Sequence, residues 1–214
     1  MKKIILLLLF SYSNIYSQNL PPKIFKLINK ESYSICKKLN ISIRPNINKD
    51  STIEIVAYDE RYNSTLNAFF QIGMNTDQIG NECDPSRYYL KPKILITQMC
   101  YNVITKTIDT NNIVYYKSIS ILIHEYVHYL QVSCTMGRDY FSPAVIDSVN
   151  MNKYFSQIDE FEATAVQSYY FLNKLDKKAL EHIMTKKVSD SDRLKLLINS
   201  YYAMAYPWRK YHIF

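Results

Sequence analysis

The 214-residue sequence predicts an α+β chain, with a small mixed or antiparallel sheet, then one central helix, then a mostly helical C-terminal half. Three observations predict it. Short alternating apolar runs, such as Thr52 to Tyr58, lie before residue 100. No Gly or Pro interrupts the apolar stretch from Ile113 to Thr135. Helical spacing dominates beyond Tyr154.

The chain opens with Lys2 and Lys3, an apolar run from Ile4 to Phe10, and a polar stretch. That is the outline of a secretory signal peptide, with cleavage expected after Ser17. It predicts a secreted or periplasmic protein whose single domain spans residues 18–214. The run from Ile4 to Phe10 is too short to span a bilayer, which takes about 20 apolar residues. No other stretch is apolar enough to do so. The formal charge is +7, but the Lys pairs at 37–38, 177–178 and 186–187 are scattered. There is no basic stripe of the kind that binds nucleic acid, and a monomer is expected. The four cysteines, Cys36, Cys83, Cys100 and Cys134, suggest up to two disulfides in an oxidising compartment, with three pairings open, among them Cys134 stapling the helix end to Cys100 or Cys83.

Lys23 to Leu39 spaces Ile24, Leu27, Ile28 and Ile35 as one or two helices. Thr52 to Tyr58 alternates as a strand. Leu66 to Ile72 reads as a strand or a short helix, and residues 75–87 as loop. Lys93 to Met99 is a further strand and the candidate edge for pairing with an extended peptide. Asp109 to Asn112 is a turn, Ile119 to Cys134 the central helix, and Met136 to Met151 a loop that could line a cleft. Tyr154 to Leu175 is a helix with Ser156 and Asp159 in capping-box spacing. Helices over Lys178 to Met184 and Asp190 to Ala203 follow, the second capped by Ser189 or Ser191.

The central helix contains His124-Glu125-Tyr126-Val127-His128, an H-E-x-x-H motif. Residues four apart share one helical face, so both imidazoles can reach one metal ion, and Glu125 can act as general base on a water. With only four His in the chain, chance would produce the motif in roughly a few per thousand such sequences. A catalytic zinc takes a third protein ligand and keeps one position open. Gln131 and Cys134 occupy the places where a three-His class would carry Gly and His. A downstream carboxylate is the other solution. Glu162, flanked at helical spacing by Ile158, Ala165 and Val166, reads as inward-facing, and Glu160, near Ser156, Gln157, Ala163 and Thr164, as outward-facing. Glu162 is therefore the expected ligand. Asp159 is expected either to cap its helix or to orient a ligand imidazole.

His124, Glu125 and His128, followed by Glu162-Ala163 on a second helix, resemble the gluzincin zinc metallopeptidases. HEYVHYLQ also resembles small bacterial metallopeptidase families without an assigned function. The resemblance covers Ile119 to Tyr170. It implies a zincin-like fold, one Zn²⁺ and hydrolysis of a peptide or protein substrate. The family often places an Asp four residues after its Glu, where this chain has Val166. Tyr201, Tyr202, Tyr206 and His212 are candidate oxyanion donors. The alternatives are a secreted zinc-fold binding module without catalysis, and a structural zinc with Cys134 or His182 as fourth ligand.

Overall fold

A computed structural model describes residues 20–43, 53–58, 68–73, 90–107, 112–131 and 157–207. The leader read over residues 1–17, the loop from Met136 to Met151, Ser156, Cys83, Cys134 and His212 lie outside the described residues. The described part is mostly helical around one three-stranded sheet, an α+β arrangement.

Helix α1 spans Pro22–Lys38 as one helix. Pro22 opens it, where its missing N–H costs nothing. Asn40 closes it at φ 57°, a left-handed conformation that Asn tolerates. The Ile41 N–H donates to the Cys36 carbonyl and the Asn40 N–H to that of Lys37, the paired bonds of a Schellman end.

Three strands follow: β1 (Glu54–Tyr58), β2 (Ala68–Gly73) and β3 (Leu90–Thr97). Their order is β1-β3-β2, with β1 parallel and β2 antiparallel to β3. The register sets Ile55 beside Ile94, and Ala57 and Ala68 on either side of Ile96. This face is buried in the main core with Ile53. The order corrects the edge-strand expectation for Lys93 to Met99. The strand β3 is hydrogen-bonded on both sides, so its backbone is already paired and is not an edge for a peptide.

The strand also ends sooner than expected. Thr97 Oγ1 accepts a hydrogen bond from the Cys100 N–H and caps α2 (Gln98–Lys106), a helix the apolar pattern did not separate from the strand. Helix α3 (Ile113–Gln131) then runs through the core, its first turn held by Asn112 Oδ1 accepting from the Val114 N–H. From Ser118 onward nearly every side chain is buried, which is why this helix shows no polar face.

Helix α4 (Ile158–Leu175) packs along α3. Its N-cap position is Gln157, which makes no side-chain capping bond, so the expected Ser156–Asp159 capping box is not the feature that starts it. Asp176 caps α5 (Lys177–Thr185), and Ser189 caps α6 (Asp190–Ala205) by accepting from the Asp192 N–H. Helix α6 packs back on α4. No described helix is long and apolar enough to cross a membrane. Cys36 and Cys100 are buried and not in disulfides, Cys100 Sγ donates to Ser118 Oγ, and burial pushes the Cys36 thiol up to about 12. The expectation that these two cysteines form disulfides is corrected accordingly.

Candidate metal centre

Three side chains from two helices converge. His124 and His128 lie four residues apart on α3, and Glu160 lies in the first turn of α4. His128 Nε2 is 3.0 Å from His124 Nε2. Glu160 Oε2 is 3.2 Å from His124 Nε2 and 3.4 Å from His128 Nε2. All three side chains are largely shielded from solvent, at 9, 14 and 14 % exposure for His124, His128 and Glu160.

With Glu160 ionised, protons on the ring nitrogens alone do not satisfy this triangle. Each Nε2 carries at most one proton. With both protonated, the nitrogen pair has no acceptor between them. With one protonated, one remaining contact brings lone pair against lone pair. A cation at the centre is attractive to all three atoms at once. The size also fits, because a tetrahedral ion with bonds of about 2.0–2.1 Å spans ligand–ligand edges of about 3.3 Å. The described residues therefore hold a group of three side chains that could bind a metal ion.

The electrostatics point the same way. Burial works against a charged His128, but the hydrogen bond and charge of Glu160, with smaller help from Glu125 and Asp159, raise it to about 9. Burial likewise penalises a charged Glu160, and its bonds to the two imidazoles outweigh this and hold it well below the usual carboxylate range. A buried carboxylate kept ionised beside two ring nitrogens is a site prepared for positive charge.

The carboxylate in the cluster is that of Glu160, which corrects the facing argument for Glu162. That argument took Ile158 to mark the inward face, whereas Ile158 is 59 % exposed. Ala163, Thr164 and Gln167, at helical spacing from Glu160, are buried, and so are Ala165 and Val166 beside Glu162, so both lines run into the core. Glu162 turns to the end of α3, where its Oε2 accepts a hydrogen bond from Gln131 Nε2 at 2.8 Å. Burial raises the affinity of Glu162 for a proton and the Gln131 bond partly offsets this.

Glu125 is buried on α3 beside His124, close enough to His128 for its charge to act there. Asp159 acts on His128 through charge, and no hydrogen bond joins it to either imidazole. His124 Nδ1 is buried without a partner, so the second bond that commonly orients a metal-binding imidazole is missing among the described residues.

Of the oxyanion candidates, Tyr201 is 1 % exposed and accepts a hydrogen bond from Gln167 Nε2 at 2.8 Å. Burial drives its hydroxyl well above its ordinary range, and Ser120 and Tyr206 also bond to it. Ser120 lies one turn before His124, so this hydroxyl serves the packing of α3, α4 and α6 and makes no contact with the cluster. Tyr202 and Tyr206 stack on each other at 5.6 Å and pack on Tyr201. His182 is exposed on α5 and outside the cluster, which removes it as the fourth ligand of a structural site.

Sequence reasoning weighed Glu160 and set it aside, and it used Gln131 only to exclude a three-His class. The signal for Gln131 was its three-residue spacing from His128, which puts it on the same side of α3. Comparison with protein-family models, with curated proteins and with solved structures finds no match to this chain.

Proposed function

We propose that the chain is a zinc-dependent metallopeptidase, with His124, His128 and Glu160 as metal ligands and Glu125 as general base. The observation that carries the reading is the triangle of two imidazole nitrogens and one carboxylate oxygen, which one shared cation satisfies and two protons do not. Two neutral nitrogens and one carboxylate suit zinc, and three protein ligands leave a position for catalysis. The H-E-x-x-H spacing adds the base next to the first ligand. A zincin-like fold, a peptide substrate and a secreted or periplasmic location belong to the same proposal. A small sheet packed against the motif helix is compatible with it.

Zinc, when bound, acidifies a water and polarises a peptide carbonyl. Glu125 takes one proton from the attacking water as the hydroxyl adds to the carbonyl carbon. It then returns that proton to the amide nitrogen as the C–N bond breaks, leaving an acid and an amine. His124 and His128 approach from consecutive turns of a buried helix, and Glu160 closes the ligand set from α4.

Elemental analysis of the purified protein, with cleavage of a peptide library, tests the reading. One zinc per chain and cleavage are expected. Glu125→Gln should keep the zinc and lower turnover by about 10²–10⁴-fold. Cleavage retained in that variant would remove Glu125 as the base. Stoichiometric zinc without cleavage of any peptide would favour the non-catalytic binding module.

A further inference from the structure

Gln131 and Glu162 meet across the interface of α3 and α4. Gln131 follows His128 by three residues, on the same side of the last turns of α3. It is 2 % exposed, yet it is a polar side chain in a largely apolar core. Its Nε2 donates to Glu162 Oε2 at 2.8 Å across the α3–α4 interface. Glu162 lies only two residues beyond Glu160, so the two carboxylates leave α4 in nearly opposite directions. Beside the packing of Phe161 on the core, the start of α4 thus makes two described polar contacts with α3: Glu160, in the first turn, at the imidazoles, and Glu162, at the start of the second, at Gln131. No side-chain cap at Gln157 holds that turn from its own end.

We infer that Gln131 and Glu162 form a brace that fixes the rotation of the first turn of α4 and so positions Glu160 for the metal. The inference rests on the metallopeptidase reading and deepens it. The geometry shows why a second point matters. A side chain reaches about 5–6 Å from its helix axis, so a rotation of about 20° displaces its carboxylate by about 2 Å. A functional site tolerates roughly 0.5 Å. With Glu160 alone, the turn pivots about that contact. With Glu162 held on the other side, it does not. Glu162 is thus a positioning residue: it acts on the metal through Glu160, and its own hydrogen bond, not its charge, carries the effect.

The test compares zinc affinity, by chelator competition, with the visible spectrum of the cobalt-substituted full chain. Glu162→Leu breaks the brace, and zinc affinity should fall about 10–100-fold with an altered cobalt spectrum. Glu162→Gln keeps an acceptor for Gln131 and should restore both near to the wild-type values. Gln131→Leu breaks the same bond from α3, and the double Leu variant should be little worse than either single one. Circular dichroism checks folding, and if Glu162→Leu does not fold, Gln131→Leu carries the same test. An unchanged affinity and spectrum in the Leu variants would overturn the brace. So would Glu162→Gln weakening zinc as much as Glu162→Leu, because a charged ligand would then be the better description. If the wild type takes up no zinc, the parent reading and the brace fall together. If the wild type binds zinc and Glu160→Gln loses it while Glu162→Leu keeps it, the brace falls alone.

Discussion

The two helices that meet at the candidate metal centre present their chemistry in different ways. Helix α3 brings His124, Glu125 and His128, the proposed ligands and base, in five consecutive residues, on a segment buried around almost its whole circumference. Helix α4 brings one carboxylate from its first turn, where Ile158 is 59 % exposed and the Gln157 side chain makes no capping bond. The rigid half of the site is therefore set by core packing. The α4 half is set by a few polar contacts reaching across to α3. Rigidity of this kind can be shared: α4 is anchored by Ala163, Ala165, Val166 and Phe171, all fully buried, and its start adds the packing of Phe161 and the polar contacts of Glu160 and Glu162.

The largest effect separating the two halves should come from pH. His128 is raised to about 9 by Glu160, so in the metal-free protein it holds a proton that a metal must displace. Zinc affinity should therefore increase up to about tenfold per pH unit through neutral pH and level off near pH 9. The metal-free protein responds in the opposite sense. The raised His128 stabilises the fold fully below its ordinary 6.5, and that contribution is lost as pH rises through about 9. The lowered Glu160 stabilises it above its ordinary 4.5, and that contribution is lost only in strong acid. The ion pair should thus contribute most between pH 4.5 and 6.5, which a series of metal-free denaturation curves would detect. Calorimetry in buffers of different ionisation enthalpy would count the released proton. A zinc affinity independent of pH between 6 and 8 would contradict the account.

A smaller effect sharpens the comparison from the α4–α6 side. Tyr201 bonds to Gln167 and Ser120 inside the core. Tyr201→Phe removes the acceptor of Gln167 Nε2, while Ser120 keeps its bond to the Lys117 carbonyl, and should cost about 1–3 kcal/mol of stability in chemical denaturation. Turnover of the folded protein should be unchanged. A loss of about 10²–10³-fold in turnover would instead return Tyr201 to the role of oxyanion donor.

The legible parts of the chain are those where local chemistry decides the outcome. The H-E-x-x-H spacing placed His124 and His128 on one face, and Ser189 announced the start of α6. The parts that were not legible depend on what lies across the interface. Glu160 and Glu162 could not be ranked from the residues around them, because α4 is buried on all sides from Ala163 to Leu172 and offers no polar face for calibration. The central place of β3 needed pairing with two distant segments, although Ile94-Leu95-Ile96, an unbroken apolar run, already resembled a strand inside a sheet. Helix α2 was hidden because the apolar pattern continues past Thr97, and only its capping hydroxyl marks the change.

The most direct test of the two-helix metal centre is a calorimetric zinc titration of the wild type beside Glu160→Ala. The account predicts one tight site in the wild type. In the variant, with two imidazoles and no carboxylate from α4, binding should be severely weakened. Wild-type affinity retained in Glu160→Ala would show that α4 does not supply the third ligand through this residue, and would contradict the account.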